Sequence, residues 1–107
     1  MKKLIRLFIS LLLLGLPWAC AGLLPEPRVE DLARSNTSYP GLQLLDLRQG
    51  RALYMKNCAG CHALHAPSQL DSFQWERIMS KMQLKAKIND STKDSIMKYL
   101  LTFAKED

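Results

Sequence analysis

The chain has 107 residues, with 15 Lys and Arg against 10 Asp and Glu, a formal net charge of +5. That length suits one small domain and leaves little room for an enzyme core with its own substrate pocket. Lys2, Lys3 and Arg6 stand at the N-terminus; without them 12 basic residues face 10 acidic ones, a net +2. No basic stripe interleaved with aromatics remains, so the charge gives no ground for nucleic-acid binding.

Residues 1–21 read as an export signal. The three cations precede an apolar run from Leu7 to Leu16, which Pro17 breaks before small residues follow. Ala19-Cys20-Ala21 fits a small-x-small cleavage rule, giving a soluble chain that starts at Gly22. Cys20 equally suits lipidation after a signal ending at Ala19, which would tether the protein to the membrane. An uncleaved helix from Leu4 to Leu24 is the third route to membrane association. All three place the protein outside the cytoplasmic membrane, in a periplasm-like space.

Residues 22–43 are expected to form a flexible tether. Pro25, Pro27 and Pro40, with Ser35, Asn36, Thr37 and Ser38, interrupt any sustained apolar period. The compact domain is then expected over 44–107. A core of that size is marginal alone and needs a staple, a metal or a cofactor.

Three helices are predicted within it, and no strand, so the fold class is all-α. The first runs from Leu44 to Asn57, with Leu47, Leu53 and Tyr54 inward. The second starts at Asp71-Ser72 and carries Phe73, Ile78, Met79 and Met82 at helical spacing, with Trp75 beside them. The third begins near Ser91, where Asp94 three residues on makes a capping box. Its residues Ile96, Tyr99, Leu100 and Phe103 fall at i, i+3, i+4 and i+7, the clearest amphipathic face in the chain.

Between the first two helices stands Cys58-Ala59-Gly60-Cys61-His62. This is the C-x-x-C-H pattern of covalent c-type haem attachment. Cys58 and Cys61 are spaced to add to two vinyl groups on one porphyrin edge, and His62 supplies the proximal nitrogen to iron. The second ring nitrogen of His62 is expected to donate to a backbone carbonyl, from Pro67 or a neighbour in the His65–Ser68 loop. One motif implies one covalent haem c. A zinc site from Cys58, Cys61, His62 and His65 has the right donor count but too compact a spacing. A thiol–disulfide oxidoreductase would need a βαβ pattern, which is missing.

His65 does not suit the other side of the same iron. Two opposite axial side chains need Cα atoms roughly 12 Å apart, whereas three extended residues reach about 10–11 Å. It is read as a loop or haem-edge residue. Met82 and Met79 are the candidates, three residues apart on one helix face. Thioether ligation would raise the reduction potential. Met55 and Met97 rank lower, and each Met has core filling as its ordinary use. Trp75 is expected to pack on the haem or to donate its indole N–H to a propionate, and Tyr54 to line the pocket. Lys56, Arg77, Lys81, Lys85 and Lys87 form either a solvated face or a weakly basic rim that steers an acidic redox partner.

From Gly50 to Leu101 the chain resembles small single-haem c-type cytochromes of class I. Gly50-Arg51-Ala52-Leu53-Tyr54 looks like their Gly-x-x-x-aromatic helix running into the haem site, and Ile96-Met97-Lys98-Tyr99-Leu100 like their C-terminal helix. The resemblance implies that the first and last helices cross and that the fold wraps around the haem. In a subgroup with a short middle, Trp is followed after six residues by the distal Met. Trp75 and Met82 match, which puts Met82 first and Met79 second. The 20 residues from His62 to Met82 are fewer than in many relatives, implying a more exposed haem edge.

The function expected from these readings is single-electron transfer between transient redox partners, without catalysis by the chain itself. The alternatives are a haem protein that binds or senses a small ligand at an open sixth position, and the haem subunit of a larger oxidoreductase.

Overall fold

The structure, a computed structural model, describes residues 1, 2, 4, 24–59 and 64–107. The export signal expected over 1–21, with Cys20, falls almost wholly outside them, and so do Cys61 and His62. Among the described residues no helix is long and apolar enough to cross a membrane.

The fold is all-helical. A 3₁₀ turn at Val29–Asp31 leads into the short helix α1, Leu32–Ser35; then come α2, Leu44–Cys58, a 3₁₀ turn at Pro67–Gln69, α3, Ser72–Ala86, and α4, Asp90–Thr102. No strand forms among the described residues. A single parallel bridge pairs Asp71 with Lys105, whose N–H donates to the Leu70 carbonyl at 2.9 Å. The chain end therefore closes back on the start of α3.

The α3 N-terminus forms where the sequence predicts it. The Asp71 carboxylate accepts from the Gln74 N–H at 2.7 Å, and the Gln74 side chain accepts from the Asp71 N–H at 3.0 Å. Two otherwise orphaned donors are satisfied reciprocally. For α4 the cap differs from expectation. Asn89, not Ser91, is the capping residue, and its side chain accepts from Thr92 N–H at 2.8 Å. Asn caps as well as Ser and stands two residues earlier, so the helix gains length.

The core is the seam where α2 and α4 pack along each other, with α3 laid across. Leu47, Trp75, Met79, Ile96, Tyr99 and Leu100 are essentially inaccessible. Leu53 and Phe103 pack on the same cluster while partly buried. Phe73, expected on the apolar face of α3, instead points to solvent at 68 % exposure. It lies two residues before Trp75, about 160° from it around the helix, so the two cannot both face inward.

Residues 24–43, expected as a flexible tether, are seated on the helices. Pro27 is fully buried. The Tyr99 hydroxyl donates to the Pro25 carbonyl at 2.9 Å, and Arg51 donates to the Leu24 carbonyl at 3.4 Å. Glu26 pairs with Arg51 at 3.1 Å and Arg48 at 3.8 Å. Further on, Lys98 lies 5.9 Å above the Tyr39 ring. These contacts use backbone carbonyls and proline rings, which leave no apolar period in sequence.

The α2–α4 seam turns on Gly50. A Cβ there would collide with the Ser95 carbonyl oxygen and lie 2.9 Å from the Tyr99 Cβ. Gly50→Ala gains about 1 kcal/mol of helix propensity. It forces two backbones apart, an overpacking cost of about 1–3 kcal/mol or more. The expected net result is a lower denaturant midpoint, whereas Ala at the exposed Gly41, where nothing lies within 4 Å but φ is +80°, suffers only local backbone strain.

Candidate haem site

A cavity of about 440 Å³ lies between the end of α2, the loop into α3, and the inner side of α3. That volume is in the range of cofactor and ligand pockets. Tyr54 and Cys58 reach it from α2, Leu64 and His65 from the loop. Trp75, Ile78, Met79 and Met82 reach it from α3. Asn57, Lys85 and Ala86 complete the lining. His65 and Lys85 are exposed, so the cavity opens to solvent.

Helical spacing explains most of this assembly. Tyr54 and Cys58 are four residues apart on α2, one turn, and so share a face. Ile78, Met82 and Lys85 follow i, i+4, i+7 on α3 and give one wall. Met79 and Trp75, also one turn apart, give the floor. Both floor residues are inaccessible, Met79 at 1 % and Trp75 at 2 %, whereas Met82 is half-buried.

Two aromatic donors fix the loop that leaves the attachment motif. The Tyr54 hydroxyl donates to the His65 carbonyl at 2.8 Å. The Trp75 indole N–H donates to the Pro67 carbonyl at 2.8 Å, fully buried. A helix on each side therefore grips the same three-residue stretch, and the rings meet edge to face with centroids 6.1 Å apart. The expected role of Trp75 as a propionate donor is corrected here: its single N–H is already committed to backbone. Its other expected role, a wall against the cofactor, fits its place in the lining. Tyr54 lines the cavity as expected.

Burial holds the Tyr54 phenol far above the ordinary tyrosine range, and the neighbouring Cys58 side chain adds to the shift. Burial likewise pushes Tyr99 up to about 12, against the pull of Arg51. Both phenols remain protonated donors at any physiological pH.

The residues present fit a haem. Cys58 stands at the rim, and the walls are apolar side chains and aromatic rings. Two thioethers, Met79 and Met82, face the space. Met55, 41 % exposed, and Met97, buried in the core, are outside the lining. Leu64, Asn57 and Ala86 line the cavity without having been singled out in sequence. Ala86 has a legible signal, four residues beyond Met82 and seven beyond Met79; Leu64 and Asn57 depend on the loop path and have none. Among the described residues no group of three His, Cys, Asp or Glu side chains is placed to hold a metal ion.

An all-helical fold in which Cys58, the first residue of a C-x-x-C-H sequence, lines an apolar cavity with two thioethers has the features of a c-type cytochrome. The family model described as dihaem cytochrome c matches residues 54–107, and the chain belongs to that family. No curated protein gives a significant match, and neither does any solved structure. The family's two haems differ from the single haem expected here. These 107 residues contain three cysteines and one C-x-x-C-H.

Two outcomes follow from the aromatic grip. Trp75→Phe keeps the ring but leaves the buried Pro67 carbonyl without its donor, so stability falls by about 1–3 kcal/mol. The denaturant midpoint should drop with an unchanged slope. For pH, a raised phenol pKa means the unfolded chain ionises first. Stability is complete below about pH 10, the unfolded tyrosine value, and is lost as pH rises through the folded value. Tyr99 sets that window at 10 to about 12. Thermal melts across it should show a steady fall that Tyr99→Phe reduces.

Proposed function

We propose that the protein is a single-haem electron carrier working on the outer side of the cytoplasmic membrane. The observation that carries this is the meeting of Cys58, Met79 and Met82 around one apolar cavity. Membership of a cytochrome family supports haem-based electron transfer in general. One attachment motif supports one haem, and the basic, leucine-rich N-terminus supports export.

Haem, when bound, supplies the ferric–ferrous couple. The chain's own residues do the rest. Cys58 and Cys61 would anchor the cofactor by thioether bonds, and His62 would supply an imidazole to the iron. Met82 would hold the iron through its thioether: it reaches the cavity and is only half-buried. Met79 reaches the same cavity but is packed in the core cluster with Trp75 and Ile96. Tyr54 and Trp75 keep the loop closed and exclude water from that side. If His62 and Met82 both hold the iron, a small ligand would find no open position there, which disfavours sensing and catalysis. Partners are transient redox proteins, with the chain either soluble or held at the membrane through Cys20.

Intact mass of the mature protein, made in a host that attaches c-type haem, should show one added haem. It should also show either a start at Gly22 or a lipid on Cys20. Mass without haem would sink the proposal. The two methionines separate by different readouts. Met82→Ala should lose the sulfur-to-iron charge-transfer absorption of the ferric state and lower the reduction potential. Met79→Ala should retain both and lose about 2–5 kcal/mol of stability.

A further inference from the structure

The outer side of α3 carries features that neither the core nor the cavity uses. Phe73 is 68 % exposed and Leu84 79 %. They lie eleven residues apart, three turns, and so line up on one side of the helix. The opposite side of α3 already buries Trp75 and Met79. Arg77, Lys81 and Lys85 follow at i, i+4 and i+8, forming a row between that apolar line and the cavity. Lys85 belongs to the cavity lining itself.

Among the described residues Arg77, Lys81 and Lys85 enter no ion pair. The ion pairs among the described residues use Glu26, Arg48, Arg51, Asp94 and Lys98. Glu76, the acid within α3, lies on the side turned to Tyr39, whose phenol feels its charge. Three cations thus stand on the cavity side of two bulky apolar residues.

We propose that this surface of α3 docks an acidic redox protein, with Phe73 and Leu84 as contact anchors and Arg77, Lys81 and Lys85 meeting the partner's carboxylates. The inference rests on the electron-carrier reading above. One electron would pass between haem held in the cavity and the partner's centre, one being oxidised as the other is reduced, with no bond made or broken. The charges lie on one flank only, so an acidic partner is drawn toward the cavity mouth, and charge complementarity sets encounter rate and orientation. A lipid surface fits less well, since an interfacial helix needs a broad apolar face and α3 offers two outward apolar side chains.

The test uses the haem-loaded full chain, isotope-labelled, titrated with a zinc-substituted acidic blue-copper protein as a redox-inert probe. Amide shifts should concentrate on Phe73, Arg77, Lys81, Leu84 and Lys85 and fade as salt is raised. Lys81→Glu with Lys85→Glu should weaken binding at least tenfold at low salt. Phe73→Ser with Leu84→Ser should weaken it at low and high salt alike. Absent shifts, shifts centred elsewhere, or indifference to the charge reversal would overturn the proposal, as would binding of the same face to anionic vesicles but not to the protein probe. Intact mass of the same sample reports haem separately. A chain that lacks haem yet binds through α3 loses the carrier reading and keeps the surface.

Discussion

At Gly50 the backbone of α2 comes against the backbone of α4 with no side chain between them, and the site depends on that approach. The Ser95 carbonyl occupies the space a Cβ would need. With the helices this close, Tyr99 lies under α2 and reaches past it to the Pro25 carbonyl. Tyr54, one turn beyond Gly50 on the same helix, then meets Tyr99 at 6.4 Å and Trp75 at 6.1 Å. One small residue thus sets the separation of two helices, and the separation sets three aromatic rings. All three rings belong to the core, and Tyr54 and Trp75 also line the cavity, so site geometry and fold stability share the same contacts.

The polar chemistry of the site follows from burying those aromatics. Tyr and Trp bring large apolar area together with one hydrogen-bonding atom each, and a buried donor needs a partner. Here the partners are the carbonyls of His65 and Pro67. The loop that leaves the haem motif is therefore held by the core rather than by its own turn. Pro67 has no backbone N–H, so its carbonyl is the one main-chain polar group the core must satisfy at that buried position. Such anchoring suits a small electron carrier, because a cofactor site that moves little between oxidation states costs little reorganisation.

Much of this was legible in the sequence, and the boundary of legibility is physical. The helices α2, α3 and α4 announce themselves because a 3.6-residue apolar period and local caps act over a few residues. Ile96, Tyr99 and Leu100 go inward as their spacing predicts. Met79 and Met82 reach the same cavity because three residues on one helix share a face. The docking of residues 24–43 was illegible, since it runs through backbone carbonyls and prolines whose acceptors lie 27 and 74 positions away from their donors. The indole of Trp75 was half-legible: its burial follows from pattern, whereas its choice of Pro67 depends on the loop path. Phe73 shows that one apolar residue at the start of a helix does not declare its side.

The extent of the family match sharpens where the chemistry lies. It begins at Tyr54, and each residue of the cavity lining is at or beyond that position. Leu47, Gly50, Arg51 and the docked segment from Leu24 all precede it. The matched part therefore contains the cofactor chemistry, and the part before it contributes the backing: the close approach at Gly50, the Arg51–Glu26 pair and the carbonyls that receive Tyr99 and Arg51. That division bears on haem count as well. Thioether attachment through a C-x-x-C-H pair consumes two cysteines per haem, and beyond Cys58 and Cys61 these residues hold only Cys20. These 107 residues thus carry one C-x-x-C-H motif, whereas the matched family is described as dihaem.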